Sequence, residues 1–452
     1  MSSLFISGGW LIDPERSRSF PADVLIVDGV IAGFTAPCSH CPEGARLLDA
    51  RGCFVCPGFI DPHGHIDGHA RTGMLSLLQG ITTSIGGNCG FSPVDMASFL
   101  RAQAAFPIHQ AEQVGMCALR EAAGAADPFA PADEQQIEAM CALCRRALED
   151  GAVGVSLGPA YAPGASMAEM TALCRVAAAY ARPVSIDTRM HSMTDLHSLE
   201  EAIELARISG CTMIVSHFVY QYGVGVEDEA LAMISRARAE GIDMQLDSGM
   251  YKDWCSSVGS ALFEEHNMTD NSIGYDHLLM ITGEHIGEQP DAQLLHHLRT
   301  AHPHDAVVVR TGLQEAVYTI ARHPLTMIST DAGAYSPGEG HPQIAGSFPR
   351  FLREMVRERG EVSWEDAIRR ITLLPAQVFS LSRKGRMTPG CDADLVIFTP
   401  KTIRDRADYP GIGRPAAAPE GIEAVIVGGR IAALRGQIVD AGLGRPVIMN
   451  AQ

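Results

Sequence analysis

"SMAEMTALCRVAAAYARPVSID", residues 166–187, contains one complete structural unit. Ser166 with Glu169 three positions on forms a capping box that starts a helix. Apolar residues recur at helical spacing until Arg182-Pro183, and the short run 184–186 reads as a buried strand that ends on Asp187. The stretch "SLEEAIELARISGCTMIVSH", residues 198–217, follows the same plan, with Ser198 and Glu201 as cap, Gly210 as stop and His217 at the strand end. "EDEALAMISRARAEGIDMQLD", residues 227–247, repeats it with Gly241 as stop and Asp247 at the end. Upstream, Ile137, Met140, Cys141 and Cys144 share one helix face, before Gly151 and another strand.

Asp187, His217 and Asp247 are thus thirty residues apart. A helix–strand unit at that period requires parallel strands with right-handed crossovers. Sustained, it predicts an α/β chain built as a (β/α)8 TIM-type barrel, with a doubly wound sheet as the competing arrangement. In a barrel, polar residues at the C-terminal strand ends face one common site. The two chain ends differ from this middle. "SLFISGGWLIDP" and "ADVLIVDGVIAGF" near the start, and "GRMTPGCDADLVIFTP" and "GIEAVIVGGRIAAL" near the end, alternate short β runs with glycine turns. They predict a small β-sandwich made of residues 1–56 and 383–452 around a barrel of residues 57–382.

The 452 residues are 46% hydrophobic, enough for a large core. A formal net charge of −18 argues against a nucleic-acid or anionic-membrane partner. No apolar run reaches the length of a membrane span, and the N-terminus lacks a signal-peptide pattern. Twelve cysteines without export then read as reduced thiols in a cytoplasmic protein. Cys38/Cys41 and Cys53/Cys56 are too closely spaced for the usual four-cysteine zinc site. Cys53 and Cys56 would also point to opposite faces of a strand. A small-molecule partner fits this composition, and a homo-oligomer is left open.

Chemistry gathers at strand ends. "CFVCPGFIDPHGHIDGH", residues 53–69, places His63 and His65 two apart, on one face, after a β run. "ITTSIGGNCGFSP", residues 81–93, presents Cys89 among glycines, "MIVSH" delivers His217, and "LTMISTDAG" delivers Asp331. Imidazoles, a thiol and carboxylates at one barrel mouth are the donor types that bind zinc.

"PGFIDPHGH", "GITTSIGGNCGFSP", Ser216-His217, "ISTDAG", "GSFPR" and "GRMTPGCDADLVIF" together resemble the amidohydrolase superfamily. Within it, the "GNCG" element is similar to that of the D-aminoacylase branch, the N-acyl-D-amino-acid deacylases. The resemblance implies one or two zinc ions and hydrolysis of an amide C–N bond. It implies that His63 and His65 hold one metal position, that Cys89 and His217 hold the other, and that Asp331 is general base and then acid. It also implies that Cys89 replaces the carboxylated lysine of other relatives. The residues agree, since lysine occurs only at positions 252, 384 and 401.

Two departures from that pattern matter. Where the branch has a histidine ending strand 5, this chain reads Asp187 in "DTR", so Asp187 is the expected ligand, the alternatives being His191 in its place or no ligand from this position. Val219 and Gln343 stand where the pattern has a lysine and an arginine for the substrate carboxylate. Tyr251, with Arg189 or Lys252 as compensating cations, remains to hold substrate. A less charged amide, linear or cyclic as in the hydantoinases, dihydropyrimidinases and dihydroorotases, is the alternative substrate. A non-catalytic metal-binding relative is the remaining class.

Overall fold

The computed structural model describes residues 3–190, 192 and 194–449. Eight parallel strands follow one another around a barrel in chain order. They are β1 (Phe59–Asp61), β2 (Ile81–Gly86), β3 (His109–Gly115), β4 (Gly154–Leu157), β5 (Val184–Ile186), β6 (Met213–Val215), β7 (Met244–Ser248) and β8 (Thr326–Ile328). The thirty-residue units are in register as neighbours, with Val184 opposite Met213 and Met213 opposite Met244. Two helix starts differ in detail. Ser166 and Glu169 form the expected capping box. Ser198, in contrast, lies inside the helix His197–Ser209, because its hydroxyl is drawn to the Tyr222 hydroxyl at 3.1 Å. Gly210 stops that helix at φ 70°, a left-handed position where glycine has no Cβ clash.

The seam between β8 and β1 closes just beyond the strands. The Asp331 N–H donates to the His63 carbonyl at 2.8 Å, and the His65 N–H donates to the Ala332 carbonyl at 2.9 Å. Asp61 accepts from the Thr330 N–H at 3.0 Å and from the His63 N–H at 3.2 Å. Burial pushes the Asp61 carboxyl up to about 7, against these bonds. The backbone pairing that completes the barrel is therefore the same pairing that fixes His63, His65 and Asp331.

At the opposite end the barrel is filled. Ile60, Ile85, Ala111, Val153, Ile214 and Met327 meet Phe379 and Leu381, with Val447 and Met449 packed against them. The chain ends form two further sheets. One pairs Val30–Thr35, Asp23–Val27, Ser3–Ser7 and Arg46–Asp49. The other has seven strands and joins Phe54–Pro57 to Leu395–Phe398, residues more than 300 apart in sequence. Leu395 and Ile397 face the first sheet, together with Ile6, Val24 and Ile26. Val396 and Phe398, on the alternate face, join the main barrel core.

A third sheet was not signalled by the periodicity. Trp254–Ser257, Ala306–Val309 and Leu278–Met280 pair antiparallel within the long connection between β7 and β8. It stands beside the C-terminal mouth of the barrel, where Trp254, Cys255, Ser256 and Ser257 line the cavity. Among the described residues no helix is long and apolar enough to cross a membrane, and all twelve cysteines are free.

Candidate metal centre and active site

Cys89 sits where β2 has ended and the chain turns sharply. Its own φ is 54°, and Gly87 and Gly90 are also left-handed at 71° and 85°. At Gly87 a Cβ would stand 2.1 Å from the Gln113 carbonyl oxygen, so only glycine lets this loop lie on β3. The Asn88 amide donates to the Ile85 carbonyl at 2.9 Å and accepts from Gln113 at 2.7 Å, and the Gly90 N–H donates to Ser156 Oγ at 3.0 Å. The bed of small residues around the thiol thus allows close approach of three strand ends, and their polar groups hold the loop.

The thiol meets three imidazoles. Cys89 Sγ lies 3.4 Å from His63 Nε2, 3.7 Å from His65 Nε2 and 3.6 Å from His217 Nε2. Asp331 Oδ1 lies 3.2 Å from His65 Nε2 and 3.5 Å from His63 Nε2. Asp187 Oδ2 lies 3.5 Å from His217 Nε2, while its Oδ1 accepts from Gln221 at 2.6 Å. Two groups emerge whose donor atoms all lie within 4.8 Å of one another: His63, His65 and Cys89, and Cys89, Asp187 and His217. The resemblance implies Cys89 at one metal position, and in the structure its thiol belongs to both donor groups. Cys89, His217 and Asp331 all have positive φ, a strained backbone of the kind concentrated at functional sites.

Asp247, the third periodic strand end, supports this cluster from behind. Its Oδ2 lies 3.3 Å from His63 Nδ1, and its Oδ1 accepts from the His217 N–H at 3.0 Å and from Ser329 Oγ at 2.7 Å. A carboxylate only accepts, so the His63 Nδ1–H donates to Asp247, which fixes the ring with Nε2 toward the thiol and Asp331.

Burial, and then Asp187 and Asp331, push the Cys89 thiol far up. Burial alone would lower His217, yet the Asp187 carboxylate raises it to about 9. Burial would raise Asp331, but His65, His63 and His217 hold it well below the usual carboxylate range. The thiol is thus held protonated by burial, while His65 and His217 balance the buried carboxylates. The donor set therefore fits a divalent metal with nitrogen, sulfur and oxygen ligands.

Above the cluster lies a cavity of about 880 Å3. Phe91, Phe129, Tyr161, Tyr220, Trp254 and Tyr335 line it, along with His65, Cys89, Asp187, His217 and Asp331. Three sequence expectations, Arg189, Tyr251 and Lys252, are not among its lining residues. Arg189 is committed elsewhere: its Nε lies 2.9 Å from Glu201, and its other nitrogens donate to the Pro163 and Ala165 carbonyls. Tyr251 is buried beside the cavity, its ring 5.2 Å from that of His341 and 4.5 Å beneath the Arg350 guanidinium. Lys252 pairs with Asp253 at 2.7 Å. Val219 is in the apolar core, and Gln343 accepts from Tyr220 at 2.7 Å and donates to the Asp331 carbonyl. His191 lies outside the described residues. The aromatic lining escaped notice because Tyr161, Trp254 and Tyr335 sit on connections or in the inserted sheet, where no strand-end pattern marks them.

Residues 46–433 match the Amidohydrolase family. An N-acyl-D-glutamate deacylase from Alcaligenes xylosoxydans is 33% identical, over 94% of this chain and 92% of its own length. The crystal structure of N-acyl-D-glutamate deacylase from Bordetella bronchiseptica, complexed with zinc and a phosphonate inhibitor, superposes with a TM-score of 0.87 at 30% identity, covering 99% of both chains. L-Hydantoinase from Arthrobacter aurescens, at 18% identity and a TM-score of 0.67 over 99% of this chain and all of its own, shares the fold alone. The chain belongs to the amidohydrolase family, within its D-aminoacylase branch.

Proposed function

We propose that this chain is a metal-dependent hydrolase of the amide C–N bond of small N-acyl amino compounds. One observation carries the reading: a single thiol, Cys89, shared by two three-residue donor groups at a barrel mouth, with Asp331 against both His63 and His65. The hydrolytic activities named for its close relatives support it. His63, His65, Cys89, Asp187 and His217 would hold zinc, as one ion or two. When bound, zinc supplies Lewis acidity that acidifies water and polarises the scissile carbonyl.

The chain's own residues do the rest. The Asp331 carboxylate, ionised beside its histidines, takes the proton of the attacking water and delivers it to the leaving nitrogen. Asp247 keeps His63 in one tautomer through the cycle. Tyr161 and Tyr220 wall the cavity beside the reacting region. Residues 57–382 form the catalytic body, and the free cysteines suit a reducing, cytoplasmic setting. The hydantoinase form of the cyclic-amide alternative shares only the fold with this chain. The test is zinc content together with acetate release from N-acetylated amino compounds. A folded, metal-loaded protein that releases no acetate from any of them would refute the reading.

A further inference from the structure

The cavity wall carries carboxylates and imidazoles but, among the described residues, no guanidinium or ammonium. Asp187 and Asp331 form its floor, and Glu264, Asp305 and Glu339 stand on its outer wall. No lysine or arginine is among the described residues that line it, and the positions outside the description hold neither type. The neighbouring cations are bound to other groups. Arg299 lies against Glu264 at 2.5 Å and donates to the Val258 and Ser260 carbonyls, and Arg71 donates to the Tyr335 carbonyl. His304 is at the exposed rim, next to Asp305. Phe91, Trp254 and Leu262 are among the apolar residues of the remaining wall, and Ser256, Ser257, Ser260 and Thr282 give it uncharged hydroxyls.

A carboxylate brought against the outer wall loses its water and meets Asp305 and Glu339, with no guanidinium or ammonium to pair with. A carboxamide or ester of the same size loses far less. We propose that this cavity selects N-acyl amino compounds whose carboxyl group is blocked, as an amide or an ester, over those with a free carboxylate. The proposal rests on the deacylase reading above. The reaction is unchanged: the acyl C–N bond breaks, a C–O bond to the water oxygen forms, and the water's proton passes to the released amine.

The zinc-loaded wild-type protein tests this with matched pairs, N-acetyl-leucine against N-acetyl-leucinamide and N-acetyl-phenylalanine against its carboxamide, each in D and L forms. Acetate release is the readout, so cleavage of the second amide does not count. The expected result is a kcat/KM about tenfold or more higher for the carboxamide of each pair. Faster release from the free acids overturns the proposal and leaves the deacylase reading standing. Release from neither member of any pair overturns the deacylase reading and the proposal with it.

Discussion

At the scale of single residues, Cys89 separates a shared ligand from a ligand to one position. Because it belongs to both donor groups, Cys89→Ala is expected to lower metal content more than His217→Ala, which disrupts only one. Metal analysis after mild dialysis checks this, with circular dichroism to show that the fold persists. A Cys89→Ala protein that keeps its full zinc would remove the thiol from the site. Asp187→Ala should also lose zinc, and retention there would pass its role to His191. Asp331 makes a different prediction. Asp331→Asn keeps the shape of the side chain but removes its ability to take a proton, so kcat should fall by about 10²–10⁴ with metal largely retained. Turnover near wild type in a zinc-loaded Asp331→Asn protein would place the base elsewhere.

At the scale of elements, β7 shows why the strand-end pattern was informative. Asp247 ends the third thirty-residue unit, and its carboxylate holds the His63 ring and the His217 backbone. Asp247→Ala should leave the barrel folded but weaken zinc affinity by about 10–100-fold, since His63 loses the partner that fixes its tautomer. Titration with a zinc-buffering chelator measures this, and unchanged affinity would make Asp247 a purely structural group. The period made β4 to β7 legible, because each unit carries its own helix, stop and apolar strand. Strand ends inside and outside the repeat supplied six side chains that converge in space: His63, His65, Cys89, Asp187, His217 and Asp331. The period could not deliver the inserted sheet, whose strands pair across up to some fifty residues without a local repeat. Arg189 and Tyr251 were misplaced for a related reason. Nearness in sequence to a strand end does not set side-chain direction once the chain enters a loop, and both found partners outside the cavity: Glu201 for Arg189, and His341 and Arg350 for Tyr251.

At the scale of the whole molecule, the site depends on a barrel whose closed end is tied to the sheets built from the chain termini. Asp394, just before the strand Leu395–Phe398, is the knot. Its Oδ1 lies 3.0 Å from His109 Nε2 at the start of β3 and accepts from the Gly428 N–H at 2.8 Å, while its Oδ2 accepts from Lys384 at 2.7 Å. His109 Nδ1 accepts from the Arg445 N–H at 3.1 Å, which leaves Nε2 as the donor to Asp394. The returning C-terminal stretch is thereby held on β3. Burial would raise the Asp394 carboxyl, but His109 and Lys384 hold it well below the usual carboxylate range. A carboxyl depressed in the folded state contributes stability that is fully present above its unfolded value near 4. That contribution is lost as pH falls through the lower folded value. Asp394→Asn should therefore cost on the order of 2–3 kcal/mol at pH 7, seen as a lower thermal or urea midpoint. The gap from wild type should stay constant down to about pH 5 and narrow below about pH 4. His109 enters β3 at the end of the barrel away from the mouth, so kcat per folded molecule should change by less than about twofold, within what rigid strands transmit to a site supported by its own hydrogen bonds. A gap that widened in acid would contradict the depressed carboxyl. A large loss of kcat in folded protein would instead mean that the terminal sheets shape the catalytic mouth as well as supporting it.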